Sequence, residues 1–319
     1  MAKVNTASVI IDGIKRRAAI PENQATFKAA DFLAFADEEL LLGVVPAIMS
    51  LHEDYFLFEI SVPLENGKTE YEIPSRAAGN KLRDLQYKPD PKTFIEMTRV
   101  GIGERFSGYN DGMVGNIKRY YLKNNKVVVS EALASSSSGS LNFIFYIKPS
   151  QLVLEERVGI IRGINDLNNG KTEIVLATLP SNFSTSIEYD FYKSESPSTI
   201  LTIDITPLTI NTVSRSVTFN TVDIPDELKV GDHLAQNGES TIPQIPNEFH
   251  AMLEQMVACR VLEAQGDSQG LQNALVKLKQ METAGGMLID NRVDDSPTKI
   301  INRHSTLRSG VSRRNTRRN

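Results

Sequence analysis

Cysteine is almost missing from this chain: Cys259 is alone among 319 residues. No intramolecular disulfide can form and no cysteine-based zinc site can be assembled within one chain, a composition that suits a reducing cytoplasm. Tryptophan is absent and histidine is scarce. His52, His233, His250 and His304 lie far apart and in no metal-binding spacing. His52-Glu53 opens like the zinc-helix pattern, but Phe56 stands where the second histidine is required, so each histidine reads as a surface or capping residue. Long apolar runs are lacking too, and nothing approaches the roughly 20 residues needed to cross a bilayer. The run Val9, Ile10, Ile11 is short and is followed, not preceded, by Lys15, Arg16 and Arg17, so no signal peptide is expected. The triplet Asn182-Phe183-Ser184 fits a glycosylation acceptor but arises by chance in most chains of this size.

Catalytic constellations are equally thin. Gly101, Gly103, Gly108, Gly112 and Gly115 share one loop, yet no Gly-Lys-Ser/Thr ending follows, so a loop between strands is expected rather than a phosphate cradle. No serine lies in a Gly-x-Ser-x-Gly elbow. Glu38-Glu39, Glu155-Glu156 and Asp294-Asp295 are sequence neighbours, which do not share a helix or strand face, and read as solvated charge. Cys259 beside Met256 and Leu262 reads as a small buried apolar group. The expectation is a protein without catalysis, metal or cofactor.

What the chain does carry is a charge asymmetry. Residues 296–319 hold Lys299, Arg303, Arg308, Arg313, Arg314, Arg317 and Arg318 and no acid. Against a net charge of -4, those seven cations leave residues 1–295 at -11. With only Ile300, Ile301, Leu307 and Val311 as aliphatics, the segment buries too little to offset its ordering entropy and is expected to order only when received. It reads as a nucleic-acid arm with steep salt dependence, as a solubilising terminus, or, the favoured reading, as a docking strand whose aliphatics anchor while its arginines pair with acidic walls.

The length suggests about two domains. Val9, Ile10, Ile14 and Ala18 mark a helix over 6–18, stopped by Pro21. A second helix is expected from an N-cap at Thr26, with Ala29, Leu33, Ala36, Leu40, Val44 and Ile48 on one stripe and, at Gly43 and Pro46, a kink or two abutting helices, the second ending around Glu53. From Tyr55 to Thr241 the period is two. Asn66-Gly67 is the strongest hairpin signal, and Pro89-Asp90-Pro91 marks another turn. Residues 174–190 and 217–232 repeat one pattern, with Leu179-Pro180 and Ile224-Pro225 lying 45 positions apart; each copy reads as a strand, a proline turn, an apolar anchor and a short strand ending near an aspartate. The helical period returns after Pro246: Phe249, Leu253, Met256, Val257 and Val261 share one face, Gly266-Asp267 separates two helices, and Leu271, Leu275, Leu278, Met281 and Leu288 continue the second.

The expected fold is α+β. Helices at 1–54 and a helical hairpin at 243–290 form a bundle, with a large antiparallel β insertion in two parts, 55–150 and 151–242. The second part would be a small barrel or sandwich with internal duplication, and 291–319 an extended tail.

The segments Ile14-Lys15-Arg16-Arg17-Ala18-Ala19-Ile20-Pro21, Ala30-Asp31-Phe32-Leu33-Ala34-Phe35-Ala36-Asp37-Glu38-Glu39-Leu40, Ile73-Pro74-Ser75-Arg76-Ala77-Ala78-Gly79-Asn80-Lys81-Leu82-Arg83-Asp84 and Ile289-Asp290-Asn291-Arg292-Val293 resemble tailed-bacteriophage virion proteins. The whole resembles head-to-tail connector, or adaptor, proteins. The resemblance implies a structural subunit of the virion neck, made in the host cytoplasm, with no membrane partner. It implies a homo-oligomeric ring, usually twelve-fold, beneath a portal protein, with a downstream tail or nozzle protein below and DNA passing through without sequence-specific binding. It also implies that Asn291, Arg292, Ile300, Arg303, Leu307, Arg308, Arg313, Arg314, Arg317 and Arg318 belong to the portal-docking tail. The rivals are another neck, tail-tube or minor virion protein, and a nucleic-acid-binding protein using its arginine arm.

Overall fold

A computed structural model of the chain describes residues 5–21, 26–104, 118–130, 133, 139–195 and 198–289. Helix α1 (Ala7–Arg17) buries Ala7, Ile10, Ile11 and Ile14, the i, i+3, i+4, i+7 row of an amphipathic helix. Its last turn carries Lys15, Arg16 and Arg17, cations that complement the negative end of the helix dipole. Helix α2 (Ala29–Glu39) starts three residues later than the Thr26 cap expected from sequence. The cap is formed instead by the Asp31 carboxylate, which accepts the Lys28 N–H at 2.7 Å. At Gly43 and Pro46 the chain does not break. A π-helical turn (Leu40–Val44) leads into α3 (Val45–Leu51), whose first turn contains Pro46, where its missing N–H costs least.

Helix α4 (Asn247–Gln265) buries the five predicted residues together with His250, Met252, Gln255, Ala258, Cys259 and Leu262. It is therefore the central rod of the bundle and not a one-faced surface helix. Gly266, at φ 75°, closes it, and Asp267 caps helix α5 (Ser268–Ile289) by accepting the Gly270 N–H at 2.9 Å. The inward row of α5 is Leu271, Ala274, Leu278 and Met281. Leu275, expected inward, is 47% exposed because Ala274 takes the facing position. Helices α1 to α4 and the inner row of α5 share one core, so both ends of the described chain meet in one bundle and the β part is inserted between them. Close approach is built in at Gly13: a Cβ there would lie 2.3 Å from the Glu254 carboxyl carbon, which Arg17 holds from the other side at 2.9 Å.

The first sheet contains β1 (Leu57–Pro63), β2 (Glu70–Glu72), β3 (Ala77–Asp90), β4 (Thr93–Arg99), β5 (Lys118–Lys123), β6 (Lys126–Val129) and β7 (Ser140–Ile147), in the order β1-β7-β3-β4-β5-β6-β2. All its pairs are antiparallel except β4–β5. Tyr55 and Phe56, expected in the first strand, lie in a 3-10 turn (Glu53–Phe56). Asn66-Gly67 makes a turn, with Gly67 at φ 79°, but not a hairpin. Strand β1 pairs with β7 and β2 with β6, so the strands flanking the turn sit at opposite edges of the sheet. Most of the glycine-rich 101–115 loop, and residues 134–138 of the loop that the serine-rich run Ser135 to Ser140 predicts, lie outside the described residues.

The second sheet contains β9 (Gly159–Asp166), β10 (Lys171–Leu176), β11 (Tyr189–Tyr192), β12 (Ile200–Ile205), β13 (Thr209–Asn211), β14 (Ser216–Asn220) and β15 (His233–Gln236), in the order β12-β11-β15-β9-β10-β14-β13. Strand β9 pairs with β15 through Gly159 and Ile160 and with β10 through Ile161 to Asp166, which curls the sheet. The two repeat regions match in hydrogen bonding as well as in sequence. Phe183 N–H donates to Pro180 at 3.2 Å and Leu228 N–H to Pro225 at 3.1 Å, and each turn leads into one of the paired strands β11 and β15. The aspartates differ from expectation: Asp190 lies within β11 and Asp232 precedes β15, so neither ends its strand. A short parallel pair, β8 (Gln151–Leu152) with β16 (Glu239–Ser240), ties the insertion to the bundle.

Gly139 precedes β7 at φ 105°, and a Cβ there would meet the Lys88 carbonyl oxygen at 2.5 Å. Gly139→Ala is expected to destabilise the chain by about 2 kcal/mol or more, read as a lowered urea midpoint, whereas Gly67→Ala, with open space around it, costs only its backbone strain.

Candidate functional site

All ten residues predicted for docking, Asn291, Arg292, Ile300, Arg303, Leu307, Arg308, Arg313, Arg314, Arg317 and Arg318, lie outside the described residues. What is described is their launch point. Helix α5 runs to Ile289 along the bundle, with Gly285 against the Phe249 ring (3.2 Å to a Cβ built there) and Gly286 near Leu51.

A buried ion pair sits where the two sheets meet. Arg76, in the turn before β3, is 7% exposed, and Asp190 on β11 is 1% exposed. The guanidinium donates to Asp190 Oδ2 at 2.7 Å, to Asn237 Oδ1 at 3.2 Å and to Ser150 Oγ at 2.9 Å. Asp190 Oδ2 also accepts the Gly238 N–H at 2.9 Å, and Oδ1 accepts the Asp204 N–H at 3.2 Å. Gln244 joins from the irregular segment that leads into α4, accepting the Ser150 N–H at 2.8 Å and donating to Ser150 Oγ at 3.0 Å. Each group is engaged by neighbours, so this network positions modules and offers no free base or nucleophile. Sequence reasoning missed it, because no spacing signal links residues 114 positions apart.

Two histidines expected at the surface are buried. His233 stacks on Tyr192 at 5.1 Å with the rings 6° from parallel, and burial pushes its pKa down to about 4. His250 is also lowered by burial; its Nδ1 accepts from the Asn5 amide at 2.9 Å and its Nε2 faces the Ile245 carbonyl at 3.3 Å. The α4 pattern held a signal for His250, which precedes Leu253 and Val257 by three and seven residues on the buried face. No group of His, Cys, Asp or Glu that could hold a metal occurs among the described residues, and no described helix is long and apolar enough to cross a membrane. Cys259 is buried as expected, and burial raises its thiol pKa. Two of the three acidic pairs are engaged: Glu38 and Glu39 both contact Arg260, at 3.3 and 2.5 Å, and Glu155 accepts from the Ser8 backbone at 3.1 Å, while Asp294-Asp295 lies outside the described residues.

Asp37 ties α2 to the insertion by accepting the Leu152 N–H at 2.7 Å. Burial raises its carboxyl to about 6. A cleft of about 630 Å³ opens between β12 and the 3-10 turn Thr221–Asp223, bordered by Asp204, Ile205, Leu208, Val222, Asp223 and Ile224.

Breaking the buried pair alone should be costly. Arg76→Met leaves Asp190 uncompensated and is expected to lose about 3–5 kcal/mol, with Arg76→Met/Asp190→Asn recovering part of it, measured by urea unfolding. The acid response follows from linkage. His233, near 4 in the folded chain, contributes stability present above its unfolded value of about 6.5 and lost as pH falls toward 4. Asp37, near 6 when folded, works oppositely, since its charged form is penalised above pH 6 and the penalty is relieved on acidification. Asp37→Asn, which keeps an acceptor for Leu152, should therefore raise the urea midpoint at pH 7.5 and lose that advantage progressively as pH falls from 6 toward 3.8, while His233→Phe should flatten the acid-side fall.

No protein-family model matches this chain, and no curated protein is recognisably similar to it.

Proposed function

We propose that the chain is a structural virion subunit: a ring-forming head-to-tail connector that grips a portal protein through residues 291–319, joins it to the next tail component and lines the DNA channel, without catalysis. The observation that carries this reading is the shared core of the terminal helices. A bundle holding both chain ends gives a ring subunit one rigid contact body, leaves the β modules free to project, and launches 291–319 directly from α5. The charge balance agrees. A ring of bodies each carrying -11 over residues 1–295 would repel a polyanion sliding through its centre.

Within this reading the second sheet is a closed barrel made from a duplicated unit. Under the 45-residue offset, hairpin β9–β10 corresponds to β13–β14, and β11 to β15. The bent strand β9 corresponds to the continuous run β12–β13, which pairs with β11 at its start and β14 at its end. Two such halves, each unable to bury a sheet face alone, close around Ile161, Ile174, Phe191, Val217 and Phe219.

The seven cations without an acid in 296–319 keep a second reading alive, a nucleic-acid arm. Two measurements separate them. Full-length protein mixed with portal is expected to form a ring complex, and a version ending at Asp290 to bind at least about 100-fold more weakly, the scale of losing several charge-assisted contacts; equal binding by both would overturn the docking assignment. Salt-sensitive DNA binding that disappears when Arg313, Arg314, Arg317 and Arg318 become alanine would favour the arm instead.

A further inference from the structure

The two halves of the second sheet differ after β10 and β14. In the first, the Ala177 N–H donates to the Ile160 carbonyl at 2.8 Å and seals the strand after β10 against β9. The position 45 residues on is Val222, which lies in the 3-10 turn after β14 and is 91% exposed. The seal is missing there, and the cleft of about 630 Å³ stands in its place, within the range of about 300–1,000 Å³ usual for ligand sites. Its apolar wall is Ile205, Leu208, Val222 and Ile224, and its carboxylates are Asp204 and Asp223. Neither carboxylate makes an ion pair among the described residues. Asp204 accepts from the Asn237 amide and Asp223 from the Asn220 amide. Burial raises the Asp204 carboxyl, and the nearby Asp190 and Glu188 carboxylates add to the shift. The cleft is thus apolar on one side and carries two carboxylates outside any ion pair among the described residues, with Arg76 opposing part of the Asp204 charge from a distance.

The matching chemistry is in the chain itself. Residues 296–319 combine seven cations, no acid and the aliphatics Ile300, Ile301, Leu307 and Val311. Roughly 30 residues beyond α5 can extend about 100 Å at about 3.3 Å each. A tethered segment meets its own cleft at an effective concentration in the millimolar range, far above that of a second copy in dilute solution.

We propose that in a subunit not engaged with a portal, residues 296–319 occupy the β12–β14 cleft of their own chain, aliphatics against its apolar wall and arginines against Asp204 and Asp223. The proposal rests on reading that segment as the docking arm and adds where it waits. Its test is a photo-crosslinking residue, p-benzoylphenylalanine, in place of Val222 in the full-length chain without portal, with the products mapped by mass spectrometry. The expected product has monomer mass and joins position 222 to peptides from 296–319. Asp204→Asn/Asp223→Asn, and separately about 0.5 M salt, should each lower its yield about fivefold or more. Asn suits position 204, where φ is 59°. The same probe at Val213, 93% exposed in the β13–β14 turn, should not capture these peptides. Capture only in dimer-mass products would assign the cleft to a second copy, and no capture, or equal capture from Val213, would remove the contact; either result overturns the proposal. If crosslinking fails while the version ending at Asp290 still loses portal binding, the parked arm falls and the connector reading stands.

Discussion

A guanidinium taken out of water must recover its hydrogen bonds from the protein, and Arg76 does so from segments that are otherwise independent. Asp190 belongs to the second sheet, Ser150 to the connector between the sheets, and Asn237 to the turn leading toward α4. The apolar cores do not bridge these parts in the same way. The bundle and the two sheets have separate main clusters, joined across the sheets by Ile203 and Ile200 of β12 against the first sheet's core, and apolar contact is indifferent to small rotations. Directional bonds at 2.7 to 3.2 Å are not. The pair adds little net stability, because desolvation offsets most of its attraction; its directional bonds tie the turn before β3 to the connector and to the second sheet.

The same logic explains why the insertion touches the bundle through few, specific contacts. Asp37 reaches from α2 to the Leu152 N–H, Glu155 reaches Ser8 at the start of α1, and the Ala7 N–H donates to the Thr241 carbonyl at 2.7 Å. Each pairs a group of the helices with one of the β part, and in every case the donor is a backbone N–H. A module held this way can grow or lose loops without repacking the helices.

Much of this was legible in sequence where the information is local. The bounds of α1 and α4, the Gly266 stop, the Asp267 cap and the matched proline turns all follow from residues within a few positions of one another. Strand β3 was hidden because its 14 residues include Asn80, Lys81, Arg83, Asp84, Gln86 and Lys88, and a bulge between Leu82 and Asp84 breaks the alternation a pattern search requires. Asn66-Gly67 announced its turn correctly, but pairing depends on partners β6 and β7 far along the chain. Leu275 lost its place to Ala274 because helix α5 turns the smaller residue toward α4, where Gln255 donates to the Ala274 carbonyl at 3.2 Å. The docking residues were legible as composition alone, since charge and length carry no geometry.

A chain that is negative over 295 residues and positive over the remainder is complementary to itself, and that has a consequence for order of assembly. Left free, such an arm would bridge neighbouring copies at random, by heterologous contacts that need not close. Held in its own cleft at millimolar effective concentration, it is satisfied before a second copy arrives. A contact of that kind is worth only a few kcal/mol, since a dissociation constant of about 1 mM corresponds to about 4 kcal/mol. Under the proposed reading, a portal that offers the arm a longer groove would outcompete the cleft, whereas another subunit would offer only the same cleft without the tether. Self-complementarity would then favour docking over aggregation, with the open cleft beside Val222 as the place that receives the arm.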